Sequence, residues 1–381
     1  MNPSELSILL VGNYPPDRQE SMLRFAAMME NGIVSAGLPV SSVAPSPRFL
    51  GTRSSGSGLG KWLAYLDKFI LFPRTLRRRA KRLPPGCIVH VCDHSNAMYA
   101  ATLANRKTMV TCHDLLAVRG AFGEDVDCPA SRMGKVLQKW ILRSLAKSGA
   151  VVCDSRATES DFKKLLPNYT GRLATILLGQ NGTFAPLPAD ESLRRVSGIP
   201  QLNGSTPFIL HVGSGLVRKN RETVLRTFAR VHRQWPGLLV FAGGPLTAEQ
   251  QRLVQILGVG NRVVSVTNVA DPVLEALYNR AFALFFPSTS EGFGWPVIEA
   301  QACGCPVMTS DRTSLPEVAG PGALIRDPKD EAGYAEDILS LCDTTRRGAV
   351  VKAGFVNVER FGTGRMIEEY IAAYRMVLTS R

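Results

Sequence analysis

Short apolar runs alternate along this chain with longer stretches whose apolar residues recur at helical spacing. The runs fall at 6–12, 87–92, 107–112, 149–153 and 173–178, then at 207–213, 238–243, 262–266, 282–287 and 305–310. Most are continuously apolar, as strands covered on both faces are. Amphipathic stretches between them complete repeated β-α units, which predicts an α/β fold with parallel sheets. The series is interrupted at 180–206, where Pro186, Pro188 and Pro200 gather among Gly and Ser residues. That stretch reads as a linker between two doubly wound, Rossmann-like domains facing across a cleft.

Composition narrows the class. The 381 residues suit two or three domains. No apolar stretch approaches the roughly 18 residues of a membrane span, and Met1–Glu5 run straight into a strand pattern without a basic leader. Both point to a cytoplasmic protein. Eight cysteines, most of them in apolar runs, read as reduced buried thiols. Cys303 and Cys305 lack a second pair at zinc spacing, so no metal site is expected. The net charge of +13 is lopsided: residues 1–185 hold 24 Lys and Arg against 13 Asp and Glu, and the remainder 21 against 19. An anionic partner is expected at the first half.

The most informative segment is Ser290–Ala300, Ser-Glu-Gly-Phe-Gly-Trp-Pro-Val-Ile-Glu-Ala. Glycines admit a ligand close to the backbone. Pro296 suits the first turn of a helix, whose unpaired amides attract an anion. Glu291 and Glu299 then flank a phosphate cradle, a constellation suited to a phosphorylated sugar. A second strand-to-turn segment, Val212–Asn220, places Gly213 ahead of Arg218 and Lys219. Paired cations there can neutralise a departing diphosphate. His113 and Asp114 follow the run at 107–112, at the strand end where open α/β sheets bind ligands. Gly12 ends the first run.

The Glu-x7-Glu segment, with Cys305–Ser310 behind it, resembles retaining glycosyltransferase family 4, part of glycosyl transferases group 1, which has the GT-B fold. The resemblance implies domains at 1–185 and 186–363, with a C-terminal helix at 364–381 crossing back to the first. It implies a nucleotide-diphosphate sugar, GDP- or UDP-hexose, as donor substrate, no cofactor, and metal-independent transfer to a saccharide or polyprenyl-linked acceptor. The run at 303–318 leans toward mannosyl- or glucosyltransferases of surface-polysaccharide assembly. By resemblance His113, Glu291, Arg218 and Lys219 are catalytic. Donor contacts fall to Gly12, Gly213, Arg218, Lys219, Glu291, Gly292, Phe293, Gly294 and Glu299, with Asn268 and Val269 as the base site. Glu299 reads either as a ribose ligand or as a helix-surface residue. The loop after the first strand departs from the family: Tyr14-Pro15-Pro16-Asp17-Arg18 replaces its glycines and stiffens the turn.

Two readings stay open at Trp62–Arg82. Trp62, Tyr65, Phe69 and Phe72 share a helical face, followed by Arg74, Arg77, Arg78, Arg79, Lys81 and Arg82. The face either meets an anionic membrane, peripherally on its cytoplasmic side, or packs into the first domain. Residues 52–60 read as a loop. Rival functions are a nucleotide-sugar epimerase on the same fold, a glycogen-type polymerase, and a basic module without catalysis; no nucleic-acid motif favours nucleic acid.

Overall fold

The structure, a computed structural model, describes residues 6–379 except 54, 56, 57, 104 and 125–127. The chain divides into two compact units: residues 6–179 with 363–379, and residues 180–362. The first contains strands β1 (Ser7–Val11), β2 (Val40–Val43), β3 (Cys87–Val91), β4 (Thr108–Cys112), β5 (Ala150–Cys153) and β6 (Arg172–Thr175) in one sheet, ordered β2-β1-β3-β4-β5-β6. The second contains β7 (Phe208–Gly213), β8 (Leu238–Gly243), β9 (Val263–Thr267), β10 (Ala283–Phe286), β11 (Val307–Ser310) and β12 (Ala323–Arg326), ordered β12-β11-β10-β7-β8-β9. Every pairing is parallel.

Each predicted run overlaps a strand. Two strands escape the pattern, β2 and β12, and both lie at sheet edges. Edge strands are covered incompletely, so Val40-Ser41-Ser42-Val43 and Ala323-Leu324-Ile325-Arg326 need no apolar continuity. The central strands β3, β4 and β5 are buried throughout. The described cysteines are all free thiols, and Cys87, Cys92, Cys112 and Cys153 lie in or beside these strands.

The linker expectation needs correction. Within 180–206, Ala189–Arg195 is a helix seated on the Asp271–Arg280 helix: Arg195 pairs with Glu275 at 2.5 Å, and the Leu187 amide donates to Asn279 Oδ1 at 2.7 Å. Prolines punctuate this stretch, but its polar side chains anchor it to the second unit. The 52–60 loop is also shorter than expected, because a helix begins at Gly58; residues 54, 56 and 57 lie outside the described residues.

The Thr363–Thr379 helix packs within the first unit. His90 ties it down: its Nδ1 lies 2.7 Å from Tyr374 Oη and its Nε2 2.7 Å from Thr111 Oγ1, which meets Tyr370 Oη at 3.0 Å. Burial holds the His90 pKa down at about 3, so the ring is neutral. A neutral imidazole donates from one nitrogen and accepts at the other, and the hydroxyls on either side can supply both roles.

Candidate active site

In the second unit, Glu291 is the hub. Arg218 donates to its Oε2 at 2.8 Å and to the Ser290 carbonyl at 3.1 Å, while Lys219 Nζ donates to its Oε1 at 2.5 Å. Burial raises the Glu291 pKa, but Lys219 and Arg218 outweigh it and hold the carboxyl below its ordinary value. Burial pulls the Lys219 ammonium down and Arg218 adds to that, against the opposing pull of Glu291. Lys219 also sits 4.8 Å from the Phe286 ring centroid. Two cations against one carboxylate leave a surplus positive charge in a largely buried cluster.

The loop carrying Glu291 is fixed from behind. The Glu291 amide donates to Thr313 Oγ1 at 2.9 Å, and Ser314 Oγ donates to the carbonyls of Glu291 at 3.0 Å and Phe293 at 2.8 Å. Gly294 caps the Trp295–Ala302 helix at φ 109°. A Cβ there would approach Leu315 to 2.8 Å, so both conformation and space call for glycine. Gly213 is similar, with φ 148°, and a Cβ added there would approach the Lys219 side chain to 3.3 Å. Glu299 lies on the buried face of that helix and accepts from Tyr278 Oη at 2.9 Å.

Asn268 and Val269 follow the edge strand β9. Asn268 is exposed at φ 54°, and no hydrogen bond given for the described residues connects it to the Glu291 cluster. Arg218, Lys219 and Glu291 are therefore brought together directly, with Gly213 beneath Lys219 and the Gly292–Gly294 loop following Glu291 in the chain.

Sequence reasoning missed Arg221. Its side chain is buried and donates to the carbonyls of Gly213 at 2.6 Å, Gly244 at 2.8 Å and Pro245 at 3.0 Å. It joins the glycine turns after β7 and β8, and no described carboxylate pairs with it. Thr313 and Ser314 were missed too, since small hydroxyl residues in a turn carry no spacing signal.

In the first unit, polar side chains gather at the carboxyl ends of β1, β3, β4 and β5. His113 Nδ1 lies 2.5 Å from Asp154 Oδ2, and Nε2 donates to the Cys92 carbonyl at 2.8 Å. Burial disfavours the charged ring, but Asp154, Asp93 and the Cys92 carbonyl raise its pKa to about 9. Burial raises the Asp154 carboxyl above its ordinary value against the pull of His113, whereas His94, His113, Ser95 and Asn13 outweigh burial at Asp93 and hold it below its ordinary value. Asn13 Nδ2 donates to Asp93 Oδ2 at 2.5 Å.

The sequence predicts a His113 ring that points at a ligand; here both its nitrogens are engaged inside the unit. Asp114 accepts from the Leu116 amide at 3.0 Å and shapes the turn. At Gly12 the nearest neighbour of an added Cβ is Ala44 at 3.8 Å, so the fold itself does not demand glycine there.

The aromatic face at 62–72 divides. Phe72 is core, whereas Trp62 is 57 % exposed. Phe69 meets Trp140 of the Arg132–Leu145 helix at 5.4 Å, and that helix exposes Met133, Val136 and Trp140 beside the basic residues Arg132, Lys135, Lys139 and Arg143. Among the described residues, no helix is long and apolar enough to cross a membrane, and no group of three His, Cys, Asp or Glu side chains is placed to hold a metal ion.

Two parallel doubly wound units, with ligand-type loops at the carboxyl ends of their strands, define the GT-B class of fold. Residues 194–350, within the second unit, match the family model described as Glycosyl transferases group 1. The chain is 28 % identical over 251 residues to O-antigen chain mannosyltransferase B of Escherichia coli, covering 64 % of this chain and 65 % of that one. It is 30 % identical over 215 residues to D-inositol 3-phosphate glycosyltransferase of Acidothermus cellulolyticus, covering 53 % and 47 %. The chain thus spans less than two thirds of these curated relatives. Among solved structures, sucrose-phosphate synthase from Thermosynechococcus elongatus shares the fold at TM-score 0.76 and 21 % identity, over 99 % of this chain and 100 % of that one. Anabaena Alr3699/HepE in complex with UDP and glucose does so at TM-score 0.71 and 16 % identity, over 97 % and 100 %.

Proposed function

We propose that this protein is a retaining, metal-independent glycosyltransferase that moves a mannose- or glucose-type hexosyl unit from a nucleotide-diphosphate sugar to a hydroxyl of a saccharide or lipid-linked acceptor in surface-polysaccharide assembly. The observation that carries this reading is the Arg218–Lys219–Glu291 cluster beside the Gly292–Gly294 turn, in a unit that matches the group 1 family model. The mannose-type donor and polysaccharide setting draw on the O-antigen mannosyltransferases that the chain resembles.

In this reading the diphosphate lies against the surplus charge of Arg218 and Lys219. As the bond from the anomeric carbon to the phosphate oxygen breaks, negative charge grows on that oxygen. Preorganised cations stabilise it more than they stabilise the intact donor. The acceptor hydroxyl bonds to the anomeric carbon on the same face and passes its proton to the departing phosphate. Glu291 keeps the two cations apart and oriented and is not assigned as a base. Glu299 holds the ribose, Asn268 and Val269 face the base, and His113 supplies a fixed positive charge on the acceptor side. The exposed Trp62 and Trp140, helped by the exposed Arg78 and Arg79, hold the enzyme peripherally on the cytoplasmic side of an anionic membrane.

The test is a thermal-shift screen of UDP-, GDP- and ADP-hexoses, without metal, on wild type and Glu299→Ala. A donor that stabilises wild type only supports the site and identifies the base. Stabilisation by none of them removes the donor reading. Inversion of the anomeric configuration in the product would sink the retaining assignment.

A further inference from the structure

The amino ends of β4, β5 and β6 lie at the edge of the first sheet opposite His113. A strand advances about 3.3 Å per residue, so the five steps from Thr108 to His113 separate the two edges by about 16 Å. At this far edge is a cavity of about 590 Å³, lined in part by Arg106, Lys107, Lys147 and Arg172. Among the described residues, no Asp or Glu lines it. Arg106 is held in place by the Leu83 and Pro84 carbonyls at 3.0 and 3.1 Å. No ion pair given for the described residues involves Arg106, Lys147 or Arg172.

Two further hollows join it. Through Leu103 and Arg106 it continues into a second cavity that adds Arg77 and Lys81, again without a carboxylate. Through Arg172 and Val377 it continues into an apolar groove of about 270 Å³ between β5, β6 and the C-terminal helix. Apart from Arg172, that groove is walled by aliphatic side chains, among them Leu173, Ala373 and Met376, and Met376 is 49 % exposed.

Arg106, Lys147 and Arg172, gathered round a cavity with no described carboxylate in its lining, attract an anion. The described walls contain no aromatic or imidazole side chain, so nothing there stacks on a nucleobase. The apolar extension offers no hydrogen-bonding side chain beyond Arg172, so it does not suit a sugar. What fits a cationic mouth continuous with an aliphatic groove is a phosphate carrying a hydrocarbon chain.

We propose that this far-edge cavity binds the phosphate headgroup of an anionic amphiphile through Arg106, Lys147 and Arg172, with its chain lying along Met376 and Val377. The site is separate from the Glu291 cluster and needs no sugar donor, so it stands or falls apart from the transferase reading.

The experiment is calorimetric titration of the full chain with decyl phosphate below its micellar concentration. Inorganic phosphate (headgroup alone) and decyl maltoside (chain without charge) are the comparators. Decyl phosphate is expected to bind at least tenfold more tightly than either. Lys147→Gln with Arg172→Gln is expected to weaken it at least tenfold. Met376→Glu is expected to weaken decyl phosphate and leave inorganic phosphate unchanged, and Trp62→Ser to change neither. Circular dichroism checks each fold, and Arg172→Gln alone substitutes if the double variant unfolds.

Inorganic phosphate binding as tightly as decyl phosphate would overturn the amphiphile. Loss on Trp62→Ser, with Lys147→Gln/Arg172→Gln unaffected, would move the binding to the aromatic face and overturn the site. Tighter binding of a short RNA than of decyl phosphate, abolished by the double variant, would overturn the ligand class.

Discussion

Asp154 Oδ2 and His113 Nδ1 meet at 2.5 Å across 41 residues of sequence, joining the ends of β4 and β5. The His113 pKa is raised from 6.5 to about 9, so folding takes up a proton between those values. The resulting stabilisation is complete below about pH 6.5 and is lost as pH rises through about 9. Urea unfolding of wild type and Asp154→Asn is expected to show its largest difference near pH 6 and a much smaller one at pH 9. A difference independent of pH would refute the ion pair.

Glu291 restrains the anion site as well as organising it. Lys219→Ala and Arg218→Ala are each expected to weaken nucleoside-diphosphate binding by tenfold or more. Glu291→Gln removes the carboxylate that pairs with both cations, so binding of the diphosphate product should tighten while turnover falls. Equilibrium binding and initial rates on the same preparations separate the two effects. Weaker diphosphate binding by Glu291→Gln would contradict the charge argument.

Arg221 joins two glycine turns through three carbonyls. Replacing it with Met strips that donor from the Gly244 and Pro245 carbonyls, while the Gly213 carbonyl keeps the Gly244 amide at 3.3 Å, and each buried unpaired group costs about 1–3 kcal/mol. Arg221→Met is therefore expected to lower stability by roughly 3 kcal/mol or more, and Arg221→Lys by less. If the turns carry the donor, Arg221→Lys should raise the donor KM more than it lowers kcat. Denaturant melts and steady-state kinetics check both parts.

Two neutral histidines make the fold sensitive to acid. The pKa values of His90 and His211 are held down to about 3 by burial. Because these values lie below 6.5, the stability involved is present above pH 6.5 and lost as pH falls toward 3. Between pH 7 and pH 5 each is expected to withdraw roughly 2 kcal/mol. His90→Gln should flatten that part of the pH profile in urea unfolding, and Tyr374→Phe should cost about 1–2 kcal/mol at neutral pH.

The core strands were readable because parallel strands buried on both faces admit little besides apolar residues. β2 and β12 were not, because an edge strand is chosen by its neighbour's open hydrogen bonds rather than by its own apolarity. The segment 180–206 misled for a related reason: its prolines suggest a free connector, while Arg195 and Leu187 anchor it to Glu275 and Asn279. In the site, Glu291, Arg218 and Lys219 carried a local signal, a glycine turn beside charge. Asp154, Arg221 and Ser314 carried none. They act across the fold on partners that only topology brings near, and a lone Asp after a strand looks like any other turn residue.

The helix at Thr363–Thr379 completes the unit that the beginning of the chain starts, while residues 180–362 form a unit from one continuous stretch. On the ribosome the order of completion is therefore reversed. The part made first waits with the hydroxyl partners of His90 and Thr111 missing, and the part made second can close as soon as it emerges. Nascent chains that stop before residue 363 should hold a finished second unit and a first unit still open to proteases and chaperones.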